Sequence, residues 1–411
     1  MSGQEGSGPQ TEPIEEETLR RSTVVLGATL LLLAACTGPA ATPTPAPTPA
    51  PTPVVTAPPT DVPATEPPTA PPTEPPTGLT CETALKVGLV TDVGRINDKG
   101  FNQSAYEGME AAAAEAPSCF ETDYIETQSQ SDYATNIAQF TDADYDVVIG
   151  VGFLLGDALG DAAIAFPDTQ FLSVDGVPSA GHDTSWLTNG ESLFFAEDQA
   201  GFMAGVLAAS MSASGHVGVV GGLVVVPPVE KFVEGYINGA LSVNPDIVAD
   251  FVYTTSFVDP PQGAVAANQM LDAGADVIFA AGGLTGNGAL GAACESRAGG
   301  STALAIGVDT DQFETLPEVQ DCLLSSATKN VAGAVHDSLL RIADGSWVAG
   351  FHTDNAATGG VGLAPFHNFD ADVPQATKDL LAATLAGLAD GSIDPGTVVD
   401  GQTTVDDTGA H

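Results

Sequence analysis

Positive charge is what this sequence has least of. Its 411 residues include 10 Lys and Arg against 53 Asp and Glu, a formal net charge of −43. Such a chain repels a phosphate backbone, because nucleic-acid affinity comes largely from cations that neutralise phosphates. It also lacks the basic clusters that hold a protein on an anionic membrane surface. Long apolar runs are scarce as well: the uncharged stretch Ser22–Ala35 falls short of the roughly 20 residues a spanning helix needs. Its six histidines (His182, His216, His336, His352, His367, His411) show no HxxxH or HExxH spacing, so no metal site is expected. No glycine-rich turn ends in GK[ST] and no GxSxG occurs, which removes the P-loop and the nucleophile elbow. No cofactor is expected. What the chain does have is 43% hydrophobic residues, enough for a sizeable core, and 30 prolines of which 16 fall between Thr37 and Thr80.

The N-terminus reads as an address. Arg20 and Arg21 precede Ser22–Ala35, whose length suits a secretory signal, and the run ends Leu33-Ala34-Ala35-Cys36. That ending resembles the lipobox of bacterial lipoproteins, which implies lipidation at Cys36 and residues 1–36 as signal and anchor. Five glutamates ahead of Arg20 are unusual for such a signal, so a start downstream of Met1 or an atypical export route is expected. The alternative is a buried helix with an incidental cysteine. Residues 37–80 form a Thr/Pro/Ala tract in which proline removes backbone donors and favours polyproline II. It is expected to be a semi-rigid spacer of up to about 3 Å per residue.

With Cys36 set aside, Cys81, Cys119, Cys294 and Cys322 remain. Outside the cytoplasm an even number suggests disulfides, and four cysteines allow three pairings. Cys81–Cys119 with Cys294–Cys322 is favoured because each pair lies in one expected lobe. Four buried free thiols are the alternative.

From Leu85 onward, short β-branched runs alternate with amphipathic stretches. Strands are expected at 86–91, 122–126, 146–151, 169–174, 216–220, 247–254, 276–281, 303–308 and 323–328. Helices are expected at 101–114, 134–140, 199–209, 229–241, 262–271 and 287–294. This alternation is that of α/β architecture with parallel sheets. It divides into two doubly wound lobes, 81–214 and 215–330, with 331–395 crossing back to complete the first and 396–411 as a tail.

In such sheets ligands bind beyond the carboxyl ends of the strands. Asp92, Asn97, Asp98, Phe101 and Asn102 follow the first strand. Asp175, Phe257, Gly283, Asp309 and Lys329 follow later ones. Taken singly, Asp92 is a turn former, Phe101 a core residue and Lys329 a surface cation lying along the sheet. Phe232 reads as helix-face core.

Together the pieces are more specific. Thr91-Asp92-Val93-Gly94-Arg95-Ile96-Asn97-Asp98-Lys99-Gly100-Phe101-Asn102-Gln103-Ser104 resembles the N-terminal signature of the basic membrane protein family. Val226-Pro227-Pro228-Val229, Thr255-Ser256-Phe257-Val258-Asp259, Ala281-Gly282-Gly283, Ile306-Gly307-Val308-Asp309 and Ser326-Ala327-Thr328-Lys329-Asn330 follow in order. Members of that family are substrate-binding lipoproteins of ABC importers with the type I periplasmic-binding-protein fold, and characterised ones bind purine nucleosides. The resemblance covers about residues 85–395. It implies a base held between Phe101 and Phe257, its polar edge bonded by Asp92, Asn102 and Asp175, and a sugar met by Gly283, Asp309 and Lys329. It also implies permease and ATPase partners and a lipid-anchored, extracytoplasmic location. Arg95 and Gly100 depart from the family's more usual glycine and serine.

Two other functions are open. Gly286-Asn287-Gly288-Ala289-Leu290-Gly291 matches GxGxxG, with Asp309 about 20 residues on, the layout of an NAD-dependent oxidoreductase. A sensory module binding the same ligand is the other, since docking surfaces carry no motif.

Overall fold

The computed structural model describes residues 78–179 and 182–396. The expected signal, Cys36, most of the spacer and nearly all of the tail lie outside them. Twelve strands and ten α-helices are described. The first lobe opens with β1 (Leu85–Val93), α1 (Phe101–Glu115), β2 (Phe120–Thr127), α2 (Tyr133–Thr141), β3 (Val147–Val151), α3 (Gly156–Ala165), β4 (Gln170–Val174) and β5 (Gly190–Phe195). α4 (Glu197–Met211) leads to the second, built from β6 (His216–Gly221), α5 (Pro227–Val243), β7 (Val248–Tyr253), α6 (Pro260–Ala273), β8 (Val277–Ala281), α7 (Gly283–Ala298), β9 (Leu304–Asp309), α8 (Gln312–Thr315) and β10 (Leu323–Lys329). α9 (Val331–Asp344), β11 (Gly350–Asp354), β12 (Val361–Leu363) and α10 (Gln375–Asp390) close the chain.

The first sheet runs β11-β5-β4-β3-β1-β2 and is parallel throughout. The second runs β12-β10-β9-β8-β6-β7, parallel except for β12. Each order reverses at its lobe's first strand, and such a switch point opens a crevice at the strand ends. Central strands β3 and β8 are buried along their whole length, which is why they read as unbroken apolar runs rather than alternating ones.

Three features differ from the sequence reading. β5 was not anticipated. It carries Glu191, which interrupts the apolar pattern; the carboxylate is buried but accepts from Arg341 Nη2 at 2.9 Å and Trp347 Nε1 at 2.7 Å. Residues 331–395 do not serve the first lobe alone. β11 pairs with β5, and the chain then returns so that β12 lies antiparallel to β10. The helices also exchange lobes: α4 packs on α5 and the second sheet, and α9 packs on α1. The reason for the α4 placement is steric. A Cβ on Gly205 would stand 2.0 Å from the Tyr236 carbonyl oxygen, and one on Gly239 2.0 Å from that of Phe202. Only glycine lets the two backbones approach so closely.

The chain therefore crosses between lobes three times, near Ala196, Asn330 and residues 355–360. Ala196 N donates to Asp354 O at 2.9 Å, and Asn330 N to Gly360 O at 2.8 Å, so the crossings are tied together. Cys81 is bonded to Cys119 and Cys294 to Cys322, with Cα separations of 4.9 and 5.2 Å. No helix among the described residues is long and apolar enough to cross a membrane.

Candidate functional site

A cavity, partly open to solvent, lies between the lobes at both switch points. Asp92, Phe101, Asn102, Asp175, Phe257, Gly283, Asp309 and Lys329 all line it. The first four come from the first lobe and the others from the second.

The first-lobe wall is organised by Asp98. Gly100 opens α1 without a side chain to cap it, and Asp98 does the work from two residues back. Its carboxylate accepts from the backbone N–H of Gly100, Asn102 and Gln103 and from Asn102 Nδ2 at 2.9–3.1 Å. Carboxylates at a helix N-terminus satisfy its free donors in this way. Asn102 Oδ1 in turn accepts from Asp92 N at 3.1 Å. Asn102 thus spends both ends of its amide on the protein, keeping one N–H to spare. Tyr133 donates its hydroxyl to the Asp92 carboxylate. Burial holds the Asp92 and Asp98 carboxyls above the usual carboxylate range, and the hydrogen bonds pull the other way.

The floor is charged. Lys329 ends β10 and is buried, its ammonium bonded to Asp175, 3.3 Å from Glu197 Oε1 and 3.9 Å from Asp309 Oδ1. It also lies over the rings of Phe101, Phe195 and Phe232, at 4.6, 5.4 and 5.8 Å from their centroids. Burial alone would ease its proton off, but the carboxylates of Asp175, Glu197 and Asp309 hold it on and raise its pKa. Burial pushes Asp309 up to about 7, with Lys329 opposing and Asp175 and Asp98 adding. Glu197 is pushed up to about 7 by the same burial, against Lys329 and Lys231. One Asp175 oxygen is buried without a partner among the described residues. Asp175, directly beyond β4, and Asp309, the last residue of β9, both sit in the left-handed region, φ 58° and 66°. Aspartate tolerates this better than most residues, and it turns each carboxylate out of its sheet.

The lobes are latched shut. Lys99 O accepts from Gln312 Nε2 at 3.1 Å and Thr315 Oγ1 at 2.8 Å, and Asp98 O accepts from Asn287 Nδ2 at 2.8 Å. Phe257 packs against Gly222, where a Cβ would meet its ring at 2.1 Å.

Sequence reasoning missed several participants. Glu197 is one: it follows β5, and with that strand unrecognised the strand-end rule had nothing to act on. Tyr133 and Phe195 gave no signal. Phe232 is core, as read, and lines the cavity too. The GxGxxG run is no phosphate loop. Residues 286–291 lie wholly inside α7, and Gly288 is there because a Cβ would stand 1.9 Å from Pro260 O on α6.

A family model described as ABC transporter substrate-binding protein PnrA-like matches residues 85–385. The chain is similar to the ABC transporter nucleoside-binding protein BmpA of Lactococcus lactis subsp. cremoris, 32% identical over 325 residues, 76% of this chain and 89% of that protein. It is also similar to basic membrane protein A of Borreliella burgdorferi, 32% identical over 252 residues, 61% and 70% of the two chains. Among solved structures, an ABC transporter solute-binding protein from Aeropyrum pernix K1 superimposes with a TM-score of 0.69 at 24% identity, covering 77% of this chain and 94% of that one. That likeness bears on the fold, and it is the two-lobed type I solute-binding fold. The chain belongs to the PnrA-like family of ABC transporter substrate-binding proteins, which are receptors for transported solutes and not enzymes.

Proposed function

We propose that this protein captures a purine nucleoside outside the cytoplasm and delivers it to the permease and ATPase subunits of an ABC importer. The observation that carries the reading is the convergence of Phe101 and Phe257, one from each lobe, on a cavity whose polar groups are mostly carboxylates. A purine offers two π-faces, and base–aromatic stacking is worth about 1–3 kcal/mol per base. Ionised carboxylates accept only, and a protonated one keeps an acceptor oxygen, so these groups favour the N–H edge of a base and the hydroxyls of a ribose. In this assignment Asp92, Asp175 and the spare N–H of Asn102 meet the base. Gly283, Asp309 and Lys329 meet the sugar. Nucleoside binding by the Lactococcus relative supports the same class. Anchoring through Cys36 belongs to this proposal and lies outside the described residues.

Mass spectrometry of ligand co-purified with the folded protein, followed by calorimetry with the compound found, tests the reading. A purine nucleoside bound more tightly than its free base and its dideoxynucleoside is expected. A sugar or peptide in the cleft, with no response to nucleosides, would overturn it.

A further inference from the structure

The closed cleft confines more negative charge than its cations balance. Asp92, Asp98, Asp175, Glu197 and Asp309 are all buried. Buried Lys329 is central to them, and Lys231, half exposed, reaches Glu197 Oε2 at 3.6 Å. The carboxylates differ in how well they are served. Asp98 has its helix-capping bonds, Asp92 has Tyr133, and Asp175 has Lys329 directly. Asp309 is worst placed: its nearest cation is Lys329 at 3.9 Å, already bonded to Asp175.

The two lobes contribute opposite sides of this group. Asp309 and Lys329 end strands of the second sheet, and Asp98 and Asp175 follow strands of the first. Glu197 sits beside the crossing at Ala196 and faces Lys329 of β10, Lys231 of α5 and, across the cleft, Asp175. Asp309 faces Lys329, Asp175 and Asp98. Opening the cleft returns Asp309 to water and parts it from the first-lobe aspartates. Closing does the reverse, and burial disfavours a surplus of like charge.

We propose that closing the cleft takes up one proton, shared by Asp309 and Glu197 around Lys329, so that acid tightens ligand capture. The direction follows from linkage. A carboxyl whose pKa is higher closed than open favours the closed form most below its open value, and the benefit is lost as pH rises through the closed value. The closed values for Asp309 and Glu197 are both about 7. An ordinary open carboxyl titrates near 4. The sensitive window is therefore about pH 4–7, and within it affinity should rise by up to about tenfold for each unit of acidification. The proposal takes its probes from the nucleoside reading but stands on the charge arrangement.

Calorimetry with inosine and guanosine, in two buffers of different ionisation heat at pH 7, counts the protons directly. Uptake of a fraction of one proton is expected, with affinity climbing from pH 7 to pH 5. Asp309→Asn should flatten the slope. Glu197→Gln, which alters a residue that does not line the cavity, should move the window to lower pH because Lys329 then serves fewer charges. Binding without proton uptake in the wild type, or an unchanged slope and window in both variants, would overturn the proposal. Small-angle scattering of the ligand-free protein supplies an arm independent of ligand identity. A radius of gyration that shrinks between pH 8.5 and pH 5 supports proton-linked closure. If no nucleoside binds, the reading of the previous subsection falls, and an unchanged radius then overturns this one separately.

Discussion

Replacing Lys329 by methionine removes one positive charge and keeps most of the side-chain volume. In the wild type that ammonium touches Asp175, lies 3.3 Å from Glu197 and 3.9 Å from Asp309, and is 2% exposed. Lys329→Met leaves all three carboxylates buried with little compensation. Breaking a buried ion pair from one side costs about 3–5 kcal/mol, most of it the penalty of the stranded charge. The loss depends on pH. Asp309 and Glu197 already stand near 7 with the lysine present, and removing its attraction raises them further. Because the folded values exceed the unfolded ones, folding is favoured by protonation at low pH and penalised as pH rises through the folded values. Urea unfolding should therefore show the variant weakened by about 3–5 kcal/mol at pH 8 and by clearly less at pH 5. An equal deficit at both pH values would mean that Lys329 supports the fold by packing against Phe101, Phe195 and Phe232 rather than by charge.

Four further outcomes are expected. Phe257→Ala should weaken nucleoside binding by about 1–3 kcal/mol in calorimetry; undiminished affinity in a folded variant removes Phe257 from the site. Gly205→Ala forces a methyl toward the Tyr236 carbonyl and should cost about 1–3 kcal/mol of stability in chemical denaturation; a neutral result would mean that α4 and α5 can separate freely. Peptide mapping without reduction should recover Cys81 with Cys119 and Cys294 with Cys322, and a peptide joining the two sets would refute the pairing. Cys36→Ala should move the protein out of the membrane fraction or leave it unprocessed, whereas normal cleavage with membrane attachment would refute lipidation there.

How much of this could be read from the chain depended on where each residue's partners lie. β3 and β8 are apolar along their length because both faces of their sheets are covered, so a local pattern revealed them. β5 hid because Glu191 is tolerable only with Arg341 and Trp347, some 150 residues away. Losing β5 also concealed Glu197. That the eight candidate residues meet at one cavity was legible because strand ends and a family resemblance pointed to the same positions. The lobe exchange by α4 and α9 was not, since it depends on which backbone a glycine lets come close. Asp98 stands within the Thr91–Ser104 motif, but its helix-capping role becomes visible only once Gly100 is seen to open α1.

The late arrival of β11 has a consequence for how the chain is made. The outer edge of β5 gains its partner only when residues 350–354 exist, about 155 residues after β5 ends. At roughly 5–20 residues per second of synthesis, that edge stays open for about 8–30 seconds. Open strand edges recruit strands from other chains. A nascent chain with so many acidic side chains and so few basic ones repels its neighbours throughout that interval, so the same charge that sets the chemistry of the finished cleft also guards the unfinished sheet.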